Sequence, residues 1–148
     1  MSKVIQALLS GIFFTFILDF FLFLGIKENY IDYYNIKVYY NILFADHQNI
    51  YIFFLLSAIL GYITIYLNNK VALAVIGVLF FATASTLIPA VGKSVGQKIL
   101  MKKNVTLHTD KFSYRGDIYY EGRREITFYD YDLKKVIILN KNEIKGKY

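Results

Sequence analysis

Apolar and polar positions divide the chain into two regimes: long, almost unbroken apolar runs up to about residue 91, and short alternating runs from residue 104 onward. The first run, Val4 to Ile26, is 23 residues long, and Gln6, Ser10, Thr15 and Asp19 are its only strongly polar members. About 20 helical residues cross roughly 30 Å of hydrocarbon, whereas a soluble core helix rarely needs more than about 14 in one unbroken run. The run therefore predicts a transmembrane helix. It exceeds the apolar region of a secretory signal, and no small-x-small cleavage pattern follows Gly25, so it is expected to be retained. Ile50 to Leu67 supplies a second span of 18 residues without a charge. Asn68, Asn69 and Lys70 form a tight turn, since Asn accepts left-handed geometry, and Val71 to about Val91 returns as a third span in an antiparallel hairpin with the second. Pro89 stands near the end of that span, where its missing N–H is tolerated or marks a kink.

Between the first two spans, Lys27 to Asn49 is dense in tyrosine. Ile31, Tyr34, Val38 and Ile42 fall on one face of a helix and Glu28, Asp32 and Asn35 on another, which predicts an amphipathic helix in the membrane interface. Residues 93–103, KSVGQKILMKK, carry Lys93, Lys98, Lys102 and Lys103 with no acid and predict a basic juxtamembrane helix. At about 1 kcal/mol per lysine near an anionic leaflet, these four are candidate lipid-headgroup ligands.

From residue 104 the period changes to two: Val105, Leu107, Phe112, Tyr114, Ile118, Tyr120, Ile126 and Phe128 alternate with polar neighbours, and Val136 to Leu139 is a continuous apolar run. Breaks at Asp110-Lys111, Arg115-Gly116-Asp117, Glu121-Gly122 and Asp130 to Asp132 predict a meander of about four strands. The fold expected is thus a membrane all-α region, 1–92, with three transmembrane helices plus the interfacial helix; a basic helix, 93–103; and a small C-terminal antiparallel β meander, 104–148. A sheet of 45 residues is near the lower limit for an independent core and is expected to lean on the bilayer, on the Tyr-rich connection or on another chain. Thr106-Leu107, Phe112-Ser113-Tyr114 and Arg124 to Phe128 resemble the opening strands of the small sheet domains that follow membrane hairpins in bacterial PH-like proteins. The resemblance covers under a third of the chain, leaves too few residues for the full barrel and its closing helix, and assigns no family.

Composition narrows the chemistry. Hydrophobic residues make up 56% of the chain, and the absence of Cys excludes disulfides, thiolate metal sites and Cys nucleophiles. His47 and His108 are the only histidines, so neither a metal centre nor a cofactor is expected. The net charge of +6 lies wholly after residue 92, where 13 basic residues face seven acids. Directly behind a membrane anchor, phospholipid headgroups are the anionic neighbour expected, and nucleic acid is not. Lys27, Lys37, Lys93, Lys98, Lys102 and Lys103 on one side against Lys3 and Lys70 on the other place the N-terminus outside and the tail in the cytoplasm of a bacterial inner membrane.

Three groups of residues are candidate sites. Gly11, Thr15 and Asp19 form one stripe of the first helix, matched by Ser57, Gly61 and Thr64 in the second span and by Ala82, Ser85, Thr86 and Pro89 in the third. Small faces let helices approach, and a carboxylate in a span needs a partner, a proton or water, so the stripe is expected to face the bundle or another protein. No Lys, Arg or His within the three spans neutralises Asp19. Asp46 and His47 are a candidate proton-sensitive pair, with Asp46 or Asn49 also placed to cap the second helix. Glu121, Arg123, Arg124 and Glu125 surround a turn at Gly122 and are suited to a phosphate or a partner's acids. The function expected is a non-enzymatic accessory, assembly or stabilising factor for a larger membrane complex, partnered by another integral membrane protein or by copies of itself. A proton- or ion-responsive channel component using Asp19, and an interfacial lipid-modifying enzyme using Asp46 and His47, are the alternatives.

Overall fold

A computed structural model describes residues 2–145. Five α-helices precede a five-stranded antiparallel sheet in the form of a half-barrel. Helix α1 (Lys3–Ile26) runs into a π-helical turn, Lys27–Ile31; α2 (Tyr40–His47), α3 (Ile50–Tyr66) and α4 (Asn69–Ala84) follow. A 3-10 turn, Ser85–Leu87, leads to α5 (Pro89–Leu100). Lys3–Ile31 and Asn69–Leu87 are long and apolar enough to cross a membrane, and α2 with α3, bent by 86° at their break, make a third candidate.

Helix α1 is the centre of the bundle. It packs antiparallel to α3 along its length, and α3 touches α4 far less, so the expected α3–α4 hairpin is a connection in sequence rather than a packed pair. The reason is the small stripes. A Cβ on Gly11 would stand 1.8 Å from the Ser57 carbonyl oxygen, and one on Gly61 would stand 2.0 Å from that of Ala7, so backbone meets backbone on both sides of the crossing. Thr15 and Ser57 are fully buried there. Helix α4 joins α1 at its other end, where Gly25 receives Thr86, whose hydroxyl shares its hydrogen between the Thr83 carbonyl at 2.6 Å and the Phe21 carbonyl of α1 at 3.1 Å. Asn29 then donates to the carbonyls of Thr86 and Leu87 at 2.9 and 3.1 Å, closing the end of α4.

Several boundaries differ from the sequence expectation. The connection after α1 is a π turn, a bend at Asn35 with φ 54°, an extended stretch and the short α2, so Ile31, Tyr34, Val38 and Ile42 share no helix face. The α3–α4 turn uses capping instead of a left-handed residue: Asn68 has φ −65° and accepts from the Lys70 N–H at 3.0 Å. Asn49, not Asp46, caps α3, accepting from Tyr51 and Ile52. Pro89 opens α5 as its first residue, so the third apolar helix ends at Leu87 and the basic helix starts earlier than 93. That helix also stops at Leu100, which places Lys102 and Lys103 on strand β1.

The sheet comprises β1 (Lys102–Thr109), β2 (Ser113–Glu121), β3 (Glu125–Asp130), β4 (Lys135–Asn140) and β5 (Ile144–Lys145), in the order β4-β3-β2-β1-β5. The fifth strand, beyond the four expected, pairs with the end of β1. Arg115-Gly116-Asp117 lies inside β2 rather than at a turn, because a bulge in β1 at Asn104 (φ 57°) accommodates it and Gly116 lets the Tyr129 carbonyl approach. Leu107, Ile118, Ile126, Phe128 and Leu139 form the core on one face. The buried Asp130 carboxylate accepts from Asp132 and Leu133 N–H at 2.8 Å each and shapes the β3–β4 turn.

The α1–α3 crossing tolerates no added carbon, whereas Gly77 on α4 has open space around it. Gly11→Leu or Gly61→Leu is expected to destabilise the purified protein in detergent by at least about 2 kcal/mol in thermal denaturation. Gly77→Ala is expected to be neutral or to stabilise by up to about 1 kcal/mol.

Candidate functional site

The sheet meets the helices through tyrosines. In β2, Ile118 pairs with Phe128 and Tyr120 with Thr127, which leaves Tyr119 as an extra residue. A bulge of this kind re-aims side chains. Tyr119 and Tyr120 both face the helical region: Tyr119 meets the tilted ring of Tyr34 at 4.4 Å and stacks on Tyr129 at 5.8 Å, and Tyr120 enters the cluster of Phe23, Ile26, Tyr30, Ile31, Leu43 and Leu100. The wholly buried Tyr30 donates its hydroxyl to the Tyr119 carbonyl at 2.7 Å, and Gln97 donates to the Tyr34 hydroxyl at 2.9 Å. The Tyr-rich connection, one of the supports expected for the small sheet, packs against it together with Phe23 and Ile26 of α1 and Leu100 of α5.

Two of the hollows around this joint bring candidate residues together. The larger, about 640 Å³, runs between the start of α2 and the outer face of β3–β4, with Val38, Ile42 and Ile138 as apolar wall and Lys37, Arg124 and Glu125 at its rim. Asp46 closes one end: its carboxylate, 8% exposed, accepts from Arg123 Nε at 2.5 Å, and the Tyr120 hydroxyl stands 3.5 Å away. Burial, followed by the Asp46 charge, pushes the Tyr120 phenol up to about 12. The His47 ring meets the edge of Tyr120 at 5.3 Å. Asp46 thus serves an ion pair across the joint, while His47 turns towards the second hollow.

That second hollow, about 160 Å³, lies at the start of α3 and brings together Thr15, Asp19, His47, Gln48 and Asn49. Because α1 and α3 run antiparallel, Gly61 lies opposite Ala7, Ser57 opposite Gly11, and Asp19 level with the α2–α3 break. Gln48 donates its amide to Asp19 Oδ2 at 2.8 Å. Asp19 is therefore partnered inside the chain, by a neutral loop residue that a search for charges within the spans passes over.

The other candidates separate. Gly11, Ser57 and Gly61 are consumed by the helix crossing, and the Thr64 hydroxyl bonds back to the Leu60 carbonyl at 2.6 Å within α3. Lys93 sits 3.6 Å above the Tyr33 ring. Lys102 pairs with Glu121 at 2.7 Å, and Lys141 reaches the same carboxylate at 2.8 Å. Lys98 and Lys103 are exposed. The four lysines accordingly form no single patch on one helix. Among the described residues no group of three or more His, Cys, Asp or Glu is placed to hold a metal ion.

Comparison with family models, with curated proteins and with solved structures finds no match to this chain.

Replacing Tyr30 with Phe keeps the ring and removes a hydrogen bond that ties the π turn to β2. Tyr30→Phe is expected to cost about 1 kcal/mol and to raise the rate of proteolysis between α5 and β1, with α1 to α4 still protected. Limited proteolysis in detergent measures both effects.

Proposed function

We propose that this chain is a multi-pass protein of a bacterial inner membrane, N-terminus outside and β-rich tail in the cytoplasm, acting as a non-enzymatic accessory, assembly or stabilising factor for a larger membrane complex. The observation that carries this reading is strand β4. It is tied, through β3 and β2, to a sheet welded to the membrane helices, yet among the described residues it pairs only with β3. Its outer edge offers unpaired backbone groups beside Val136 and Ile138, 46% and 58% exposed. Lys134 and Lys135 flank that edge. An edge strand with exposed apolar side chains is a template for another chain, here another integral membrane protein or a second copy, and flanking lysines favour an acidic one. A double variant, Val136→Lys with Ile138→Lys, is expected to lower co-purification of the partner at least tenfold while the protein keeps its own level and thermal stability. Undiminished co-purification removes the edge from the reading. Orientation is tested in the same strain by fusions at residue 148: fluorescent-protein signal without phosphatase activity is expected.

A second reading, a proton- or ion-responsive component, is favoured by one observation: Thr15, Asp19 and His47, distant in sequence, line the same hollow. Purified protein in sealed vesicles is then expected to pass protons or monovalent cations, and Asp19→Asn to reduce that flux at least tenfold. Vesicles no leakier than protein-free ones count against it.

A further inference from the structure

The hollow beside Asp19 has an unusual polar lining. Thr15 is wholly buried and its Oγ1 has no hydrogen-bond partner; the buried Nε2 of His47 has none either. An orphaned buried polar atom is costly, and here both residues line one small space with a carboxylate. All three groups share one capacity, to accept a hydrogen bond, which the hydroxyl has besides its own O–H. A carboxylate only accepts, a neutral imidazole accepts at whichever ring nitrogen lacks the proton, and a hydroxyl carries two lone pairs. The Gln48 amide engages one Asp19 oxygen but brings no positive charge. What the site lacks is a cation with several N–H donors and no acceptor, which describes a primary ammonium. A divalent metal is a poor match, because no third His, Cys, Asp or Glu joins the set among the described residues.

The position and size narrow the ligand further. The hollow lies where α3 begins, at the break between α2 and α3, and most of its wall is apolar: Leu22, Phe23, Ile52, Phe53 and Leu56. Ile52 and Ile99, 62% and 50% exposed, border it on the outer surface of the helices. Its 160 Å³ amounts to about five water-sized volumes, enough for the four heavy atoms of an ethanolammonium group. We propose that this hollow binds the primary ammonium of an aminophospholipid headgroup, with Asp19 as counter-ion and the Thr15 hydroxyl and His47 imidazole as the further acceptors. The assignment stands apart from both functional readings above: it requires neither a protein partner nor flux.

The test uses the full chain in nanodiscs and the imidazole nitrogen resonances of labelled histidine. The chain has two histidines, so His108, exposed on β1, is an internal reference. Raising the fraction of phosphatidylethanolamine in phosphatidylcholine is expected to shift the His47 signal saturably and leave His108 in place. Phosphatidylcholine alone, whose quaternary nitrogen has no N–H, is expected to give no shift. Asp19→Asn is expected to abolish the response, and Thr15→Val, which keeps the side-chain shape, to weaken apparent binding at least fivefold. Should Asp19→Asn fail to reconstitute, Thr15→Val alone decides. An equal response to both lipids, or a response that survives in Thr15→Val unchanged, overturns the proposal. A shift with soluble n-butylammonium chloride but none with phosphatidylethanolamine also overturns it and assigns the site to a lysine of a partner protein.

Discussion

The close crossing of α1 and α3 is the constraint on which the remaining structure depends. At Gly11 and Gly61 the two backbones come so near that a single added carbon has no room, and this contact holds the helices antiparallel in one register. Both helices are apolar almost all round, so apolar burial favours no one register, and close backbone packing sets it. From that register the level of every other group follows. Asp19 comes to lie beside Gln48, α2 is laid across the base of α1, and His47 is brought over the same hollow as Thr15.

The second determinant is the bulge at Tyr119. A regular strand sends neighbouring residues to opposite faces, which would give the sheet core one of these two tyrosines and the helices the other. The extra residue turns both towards the helices, and the sheet acquires a second interface without a second layer of its own. Tyr30 completes it from below through the Tyr119 carbonyl. A short sheet that buries little by itself is stabilised in this way by sharing one apolar cluster with the ends of α1 and α5. The Asp46–Arg123 pair lies at the edge of that cluster; with Arg123 73% exposed, it orients the two parts more than it stabilises them.

The location of Asp19 also alters the electrostatic picture. Near the middle of a span, a carboxylate without a cation is expensive. Level with the start of α3, it is close to the positive end of a helix and to an amide donor, each of which lowers that cost. The buried orphan groups at Thr15 and His47 share its hollow, so the polar demand of the helical region is concentrated there and at the α1–α3 crossing, where the Ser57 hydroxyl is also unpartnered.

Local chemistry was enough to read much of this from the sequence. Run length marks the apolar helices, the period-two alternation from Val105 to Phe128 marks the strands, and the stripes at Gly11 and at Ser57–Gly61 identify faces that pack closely. Each is a property of a few neighbouring residues, whose spacing dictates which side of an element they occupy. Tertiary structure decided what no local pattern carries: that α3 packs on α1 rather than on α4, that Asn35 breaks the interfacial helix, that a bulge at Tyr119 faces two adjacent tyrosines the same way, and that Gln48 is the partner of Asp19. The physical reason is common to all four. Each is settled by contacts between residues far apart in the chain, and those contacts outweigh the small preferences by which a neighbouring stretch would choose a conformation alone.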